Sequence, residues 1–510
     1  MPLRMRGFGE ESNMKFVKII GWSSALCLSA TLLQAQETNE VELLKRQFKE
    51  ATENFDKTVR EQRQIIDSLS KRLDAVQQQL VDKTNEPSKA AAAVTGLPSD
   101  TQSSKIPATL EKSWSPTDPL KLVGGAQNYI SLSFDALVAA GTSTASDIES
   151  LELGGHDPKQ RGFTIQNLET VFEGKIDPYF RGQANIVLQI DPHGETIIEA
   201  EEAYLETLSL PLNLQVKAGQ FFTEFGRLNP THPHTWDFVD QPLVNGRFLG
   251  EDGLRSAGAR ISWLTPTPFY SELFFALQNS QGGTAFSFRN DHGGMPFLGR
   301  TSLDRRVKTL GDMLFVPRYV ASFNLSDAQT LVAGASAAFG PNSSGNNTDT
   351  QIYGVDLFWK WKSPKQHAGF PFVTWQTEAM MRRFQAGAFN GDLNGNGILD
   401  PGEQDINGNG VPDLLPRETV VDYGAYSQVS FGFRKGWVAA LRGDYVFPEK
   451  QALYERILGP DLERATRWRI SPNLTWYPSE FSKIRLQYNF DHRNGIGDDH
   501  SVWMQFEFLL

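Results

Sequence analysis

The chain has 510 residues, a formal net charge of −11, 40% hydrophobic and 11% aromatic residues. That length leaves room for more than one domain, and the acidic balance offers no basic footprint for nucleic acid. A single cysteine, Cys27, excludes a disulfide framework.

Residues 1–35 read as a secretory signal. Lys15 and Lys18 form a positive n-region, Ile19 to Leu33 a short apolar run, and Ala35 a small residue at the cleavage point. Met14 is a better start than Met1 on this reading. Cys27 lies inside the signal, so the mature protein is expected to contain no cysteine. The apolar run is short for a membrane anchor, and no later apolar run reaches helix-spanning length.

Residues 36–83 predict a coiled coil. Val41, Leu44, Phe48, Ala51, Phe55, Val59, Ile66, Leu69, Leu73, Val76 and Leu80 recur mostly in three-four steps, with a stutter near Phe55 and polar Gln62 in one core slot. Neither Gly nor Pro interrupts the stretch. About six heptads with nothing adjacent to pack on favour oligomerisation, with a trimer expected. A periplasmic place follows from the signal, and the coil is expected to register a trimer or to tether the membrane to the cell wall. Residues 84–122, rich in Ala, Ser, Thr and Pro, predict a linker.

Residues 123–510 read as strand after strand. Ile484, Leu486, Tyr488 and Phe490 alternate with Lys483, Arg485, Gln487 and Asn489; Val502, Met504, Phe506, Phe508 and Leu510 form another apolar row. Period two places each row on one face. The same alternation runs through Phe180–Ile190, Tyr353–Trp361, Val429–Phe433 and Trp437–Tyr445, with no helical layer to cover the apolar rows. Charged and amide side chains repeatedly occupy the opposite face, and aromatics cluster near strand ends. The expected fold is an all-β transmembrane barrel of about 16 antiparallel strands, preceded by the α-helical coiled coil. A bilayer is then the first partner, and the cell outer membrane the expected location.

Two resemblances follow. Val216-Lys217-Ala218-Gly219-Gln220-Phe221-Phe222 with Phe225-Gly226-Arg227, and Leu474-Thr475-Trp476-Tyr477-Pro478 running into Lys483-Ile484-Arg485-Leu486-Gln487-Tyr488, resemble the strand-and-turn motif of the phosphate-selective porin O and P family. That resemblance implies a 16-stranded, trimeric porin, general or anion-preferring. One departure is the ending Phe508-Leu509-Leu510, where such barrels usually close on an aromatic. Gly155-His156-Asp157-Pro158 to Glu169, Glu201-Glu202-Ala203-Tyr204 and His232-Pro233-His234-Thr235-Trp236 look like proteins labelled zinc-regulated TonB-dependent outer-membrane receptors. Such receptors need a plug inside roughly 22 strands, and the region before Val123 offers neither plug nor coupling box. Passive diffusion of small hydrophilic solutes or ions is therefore the expected function. A metal-uptake receptor and a calcium-stabilised structural anchor with a closed barrel are the alternatives.

Selectivity would come from lumen side chains. Arg181, Lys217, Arg434, Arg442, Lys483 and Arg485 are the expected lumen cations, and Glu202, Glu206, Asp135 and Asp444 the expected anions. Phosphate specificity is not carried over, since charges paired across a wide pore would serve equally well.

The sharpest local motif is Asp392-Leu-Asn394-Gly-Asn396-Gly397-Ile398-Leu-Asp400-Pro-Gly-Glu403. It matches a twelve-residue calcium loop: oxygen ligands at positions 1, 3, 5 and 9, a backbone carbonyl from Ile398, Gly at 6 and a carboxylate at 12. Asp405, Asn407, Asn409, Gly410 and Asp413 repeat the pattern, with Pro416 at position 12. Strands flank the pair, so it is read as an insertion at about 390–416 that calcium rigidifies on the outer side. His232 and His234 with Asp237 are a further candidate for a divalent metal, although two such His in a loop are more often structural. Glu201, Glu202 and Glu206 read as solvated lumen charge. With no nucleophile set and no phosphate-cradling loop, enzymatic chemistry is not expected.

Overall fold

The computed structural model describes residues 120–124, 128–175, 177–289 and 296–510. The expected signal, the coiled coil and nearly all of the linker lie outside them. The wall strands are β1 (Leu120–Gly124), β2 (Tyr129–Ser143), β3 (Gly162–Lys175), β4 (Phe180–Ile190), β5 (Thr196–Thr207), β6 (Leu214–Phe222), β7 (Arg255–Leu264), β8 (Tyr270–Gln278), β9 (Leu314–Ser326), β10 (Gln329–Pro341), β11 (Asp349–His367) and β12 (Phe370–Ala386). A small ladder joins β13 (Phe389–Asn390) to β14 (Leu414–Leu415). The wall continues with β15 (Glu418–Arg434), β16 (Trp437–Pro448), β17 (Arg467–Ser479), β18 (Ser482–Arg493) and β19 (Gly497–Leu509).

Each wall strand from β2 onward pairs antiparallel with the next, and β19 returns to β2 through Leu509↔Asp135 to Ser501↔Ser143. The result is a closed 16-stranded antiparallel barrel. Short β1 pairs with β2 at Leu120↔Leu132 and Gly124↔Tyr129, just beyond the reach of β19, so it extends the line that β19 begins. The sheet is thus entered at Leu120, inside the stretch read from sequence as linker. Sixteen strands also answer the receptor alternative, which needed a larger ring.

Alternation explains the closure. On β17, Arg469, Ser471, Asn473 and Thr475 are buried inside while Ile470, Leu474 and Trp476 are exposed outside. On β18 the inward residues are Lys483, Arg485, Gln487, Asn489 and Asp491, and the outward ones include Leu486 and Tyr488. A water-soluble sheet has the reverse sidedness; apolar outside and charged inside is the pattern of a barrel solvated by lipid. Among the described residues no helix is long and apolar enough to cross a membrane.

Loop lengths differ between the two ends. One end carries tight connections such as 327–328, 368–369, 435–436 and 480–481; the other carries 144–161, 223–254, 279–313, 387–417 and 449–466. Segment 223–254 and parts of 279–313 and 449–466 pack against inward wall residues at that end. Helix α1 (Leu243–Leu249) contributes Leu243, Val244, Phe248 and Leu249 to an apolar core with Phe225, Phe288, Leu314, Ile352, Met380 and Tyr426. Helix α2 (Leu453–Leu458) lies at the same end, where Ala452, Tyr454, Leu298, Phe384 and Leu415 form a second cluster.

Candidate functional site

The segment 223–254 is the element that organises the lumen. Prolines at 230, 233 and 242 keep it from continuing as helix or strand, and its backbone groups must find partners inside the barrel. At its start Gly226 takes a φ of +62°, and a Cβ there would lie 2.0 Å from Glu378 Oε2. The same carboxylate accepts the Arg227 N–H at 3.1 Å and the Leu228 N–H at 2.8 Å. The segment then crosses to the far wall. Asn473 donates to the Asp237 carbonyl (2.9 Å), Arg485 to the Trp236 carbonyl (2.8 Å) and Lys483 to the His234 carbonyl. Val239 N–H reaches Gln487 at 2.9 Å and Leu243 N–H reaches Asp444 at 3.1 Å.

A buried ionic knot ties this crossing down. Asp240 meets Arg442 at 2.8 Å and also Arg469; Arg469 meets Glu152 at 2.7 Å and Asp491 at 2.8 Å; Arg442 meets Asp444 at 2.7 Å. Burial opposes a charge on Asp240, but the Arg442 and Arg469 guanidiniums outweigh it and hold the carboxyl below its ordinary range. Arg442, Lys483 and Arg485 therefore do face inward, as their strand phase predicts, yet they are buried against the crossing segment instead of bordering open water. Period-two reasoning fixes the face of a side chain and is silent on a loop that later covers it.

Arg181, Glu202, Glu206 and Lys217 sit on β4 to β6. Arg181 pairs with Glu206 and lies 3.6 Å from Glu173; Lys217 lies 3.6 Å from Glu224 and 4.3 Å from the Tyr204 ring centre. Arg434 keeps inward phase but ends its strand at the short-turn rim, where it is exposed. Asp135 is inward and buried, and neither carboxylate oxygen has a hydrogen-bond partner.

The segment also brings histidines onto a group of carboxylates. His232 Nδ1 lies 2.8 Å from Glu201 Oε2 and 3.2 Å from Glu169 Oε1, and its Nε2 lies 3.0 Å from Glu202 Oε2. His234 Nδ1 lies 3.1 Å from Glu169 Oε2, and His156 Nε2 lies 3.3 Å from Glu201 Oε1. Burial works against a charged His232, but the hydrogen bonds it donates to Glu201 and Glu202 dominate and raise its pKa well above the usual histidine value. Of the sequence-predicted metal trio, His232 and His234 come together. Asp237 does not join them; it accepts from Ser430 at 2.9 Å on another wall.

Two β-bulges build the carboxylate group. In the β4–β5 ladder Asn185 pairs with Glu202 and Ile186 with Ala200, which leaves Glu201 as the extra residue. Both Glu201 and Glu202 are consequently buried on the inner side. In the β2–β3 ladder Leu137 pairs with Asn167 and Val138 with Ile165, so Gln166 is extra and Glu169 follows in inward phase. Bulges re-aim side chains in this way and are common beside functional sites. Reading Glu201, Glu202 and Glu206 as solvated lumen charge is thus corrected: all three are buried, Glu201 to 1% exposure. The sequence signal was the Glu201-Glu202 doublet itself, which breaks strict alternation. Glu169 and His156 entered only through the resemblance of the Gly155–Glu169 stretch, and strand alternation did not mark them.

In the insertion between β12 and β15 the two tandem copies share most of one hydrogen-bond pattern. Asp392 Oδ2 accepts the Gly397 N–H at 2.9 Å, and Asp405 Oδ2 accepts the Gly410 N–H at 2.7 Å. Asn396 accepts from Ile398, and Asn409 from Val411 in the matching place. Glu403 accepts from Leu393 at 2.9 Å, and Asp413 accepts from Ile406 at 2.6 Å, so Asp413 stands where the first copy has its twelfth-position carboxylate. Asn394 and Asn396 both donate to Asp400 at 2.7 Å.

No family model matches the chain. An uncharacterized protein of Aquifex aeolicus (strain VF5) is 30% identical over 413 residues, which is 75% of this chain and 78% of that protein. Among solved structures the chain is similar to the outer membrane channel DcaP of Acinetobacter baumannii (TM-score 0.47, 12% identity, 76% of this chain and 99% of that one). It is also similar to an anion-selective porin from Comamonas acidovorans (TM-score 0.44, 7% identity, 75% and 100%). Salmonella typhi OmpF gives a TM-score of 0.42 at 11% identity, with 75% and 98% covered.

Proposed function

The chain belongs to the family of the Aquifex aeolicus protein, and within that family we propose an outer-membrane diffusion channel for small hydrophilic solutes or ions. The observation that carries this is the inverted sidedness of a closed barrel whose inward charges stay partly solvated on one side of the lumen. Arg181 and Glu173 keep 34% and 29% of their side-chain surface while facing inward. Lipid satisfies the outer rows, and water at the short-turn half satisfies the inner ones. The crossing segment 223–254 narrows the path where it reaches β17 and β18.

Anion preference would rest on Arg181 and Lys217. Both have carboxylate partners, so the field they present is small and so is the expected selectivity. Calcium is proposed to order the 390–416 insertion. Its matched Asx geometry in both copies supports the reading, and millimolar external calcium suits weak sites. A homotrimer registered by residues 36–83 is the proposed assembly; deleting 36–83 should lower oligomer size, and unchanged trimers would assign stoichiometry to the barrel. The apolar loop core inside the lumen favours a second reading, a barrel closed by its loops and serving as an anchor.

Planar bilayers separate the two. Steady ohmic steps with a small reversal potential in a salt gradient are expected of a channel. A folded, heat-modifiable barrel that inserts and never conducts would overturn the channel and leave the closed anchor.

A further inference from the structure

From the bulge-built cluster we infer a binding site for one divalent first-row transition-metal ion inside the barrel, with Glu169, Glu201 and His232 Nδ1 as its protein ligands. One ligand atom from each of these residues lies within 4.8 Å of the others. His232 Nδ1 is already 3.2 Å and 2.8 Å from the two carboxylates. A tetrahedral centre with bonds of about 2.0–2.2 Å spaces its ligands roughly 3.3 Å apart, so small side-chain shifts would admit the ion.

Three features distinguish this group from an ordinary acidic cluster. First, every ligand has its own orienting partner. Glu169 is held through its other oxygen by His234 (3.1 Å), Glu201 through its other oxygen by His156 (3.3 Å), and His232 through its other nitrogen by Glu202 (3.0 Å). A carboxylate–histidine pair behind a metal-facing nitrogen is the usual outer-shell arrangement. Second, the Glu169 and Glu201 side chains are 0% and 1% exposed. Buried carboxylates brought together from β3 and β5, with β4 between them, call for a cation beside them. Third, the ligands come from a fixed frame: two bulged wall strands and a turn, Pro233–Thr235, whose entry is set by proline. A small cavity lined by His156, Glu201, Phe222, Leu228 and Pro233 adjoins the cluster and offers room for a fourth, non-protein ligand. Mixed nitrogen and oxygen donors suit zinc and its neighbours better than calcium or magnesium, which prefer all-oxygen shells. The inference is independent of conduction.

Zinc is the probe. Untagged, refolded protein in detergent, with calcium in excess to saturate the outer insertion, is titrated by calorimetry and its bound metal counted after desalting. One zinc per chain is expected. Glu201→Gln and His232→Gln should abolish it, and Glu202→Gln, which alters only an orienting partner, should weaken affinity 10–100-fold. Glu206→Gln, a lumen carboxylate outside the cluster, should leave it unchanged. Retained heat-modifiability shows that each variant still folds. Absence of stoichiometric zinc in the wild type, or zinc that survives Glu201→Gln and His232→Gln alike, would overturn the site. Should Glu201→Gln fail to fold, Glu169→Gln gives the same reading from β3.

Discussion

Replacing Arg469 with Met should loosen the lumen without dissolving the barrel. Arg469 is fully buried and serves three carboxylates, Glu152 at 2.7 Å, Asp491 at 2.8 Å, and Asp240. After the change Asp240 keeps Arg442 (2.8 Å) and Asp491 keeps Arg467 (2.7 Å). Glu152 keeps nothing: one oxygen has no hydrogen-bond partner, and the other is bonded by Arg469. A buried carboxylate stripped of its partner costs about 3–5 kcal/mol. At 1.4 kcal/mol per factor of ten, the fraction of molecules with 144–161 and 223–254 lifted from the wall should rise by roughly 100- to 4,000-fold. Limited proteolysis of the folded barrel reads this as new cleavage in those two loops, and bilayer current as larger, noisier openings. Adding Glu152→Gln should recover most of the protection, because a neutral amide needs no counter-charge. Native protection and quiet current in the Met variant would refute the knot as the anchor. So would equal cleavage with and without Glu152→Gln.

Three further outcomes follow from the same geometry. Leu441, 54% exposed on the outer face of β16, should tolerate Arg poorly: about 2–4 kcal/mol lost in urea unfolding from lipid vesicles, with a loss under about 0.5 kcal/mol arguing against lipid contact there. Chelating calcium should open the 390–416 insertion to protease, and Glu403→Gln should reproduce that opening in the first copy; identical digestion with and without calcium would remove the ion from that loop. Gly226→Ala should cost about 1–3 kcal/mol through its left-handed backbone and the Glu378 contact. Faster cleavage near 223–230 would report it, and wild-type resistance would count against the strain.

The wall was legible because alternation is a local property. Leu474 and Trp476 against Ser471 and Thr475, or Leu486 against Arg485, state their faces within one strand, and the closed barrel agrees strand by strand. The lumen was less so. Nothing local in Phe225 to Leu254 says that the segment turns inward, because its destination is written in Asn473, Arg485 and Gln487 more than two hundred residues later. The carboxylate–histidine group depends on two register shifts, and a bulge is a property of a ladder, not of one strand. His232 and His234 were singled out by spacing alone; Asp237, three residues past His234, was grouped with them by proximity in sequence and points elsewhere.

The meeting of β19 with β2 has a consequence for how the molecule is made. Every other wall ladder joins consecutive strands across one loop or turn, whereas this one brings Ser143 to Ser501 and Asp135 to Leu509. Closing so long a span carries the largest entropic cost and belongs late in folding. Until it closes, two strand edges with unpaired backbone groups face hydrocarbon, where each such group costs several kcal/mol. Leu510 and Phe134 exchange both backbone hydrogen bonds at that seam, and β1 prolongs it beside them. The seam is therefore the place where insertion either commits or stalls, and where a small perturbation would be felt as assembly yield long before it was felt as transport.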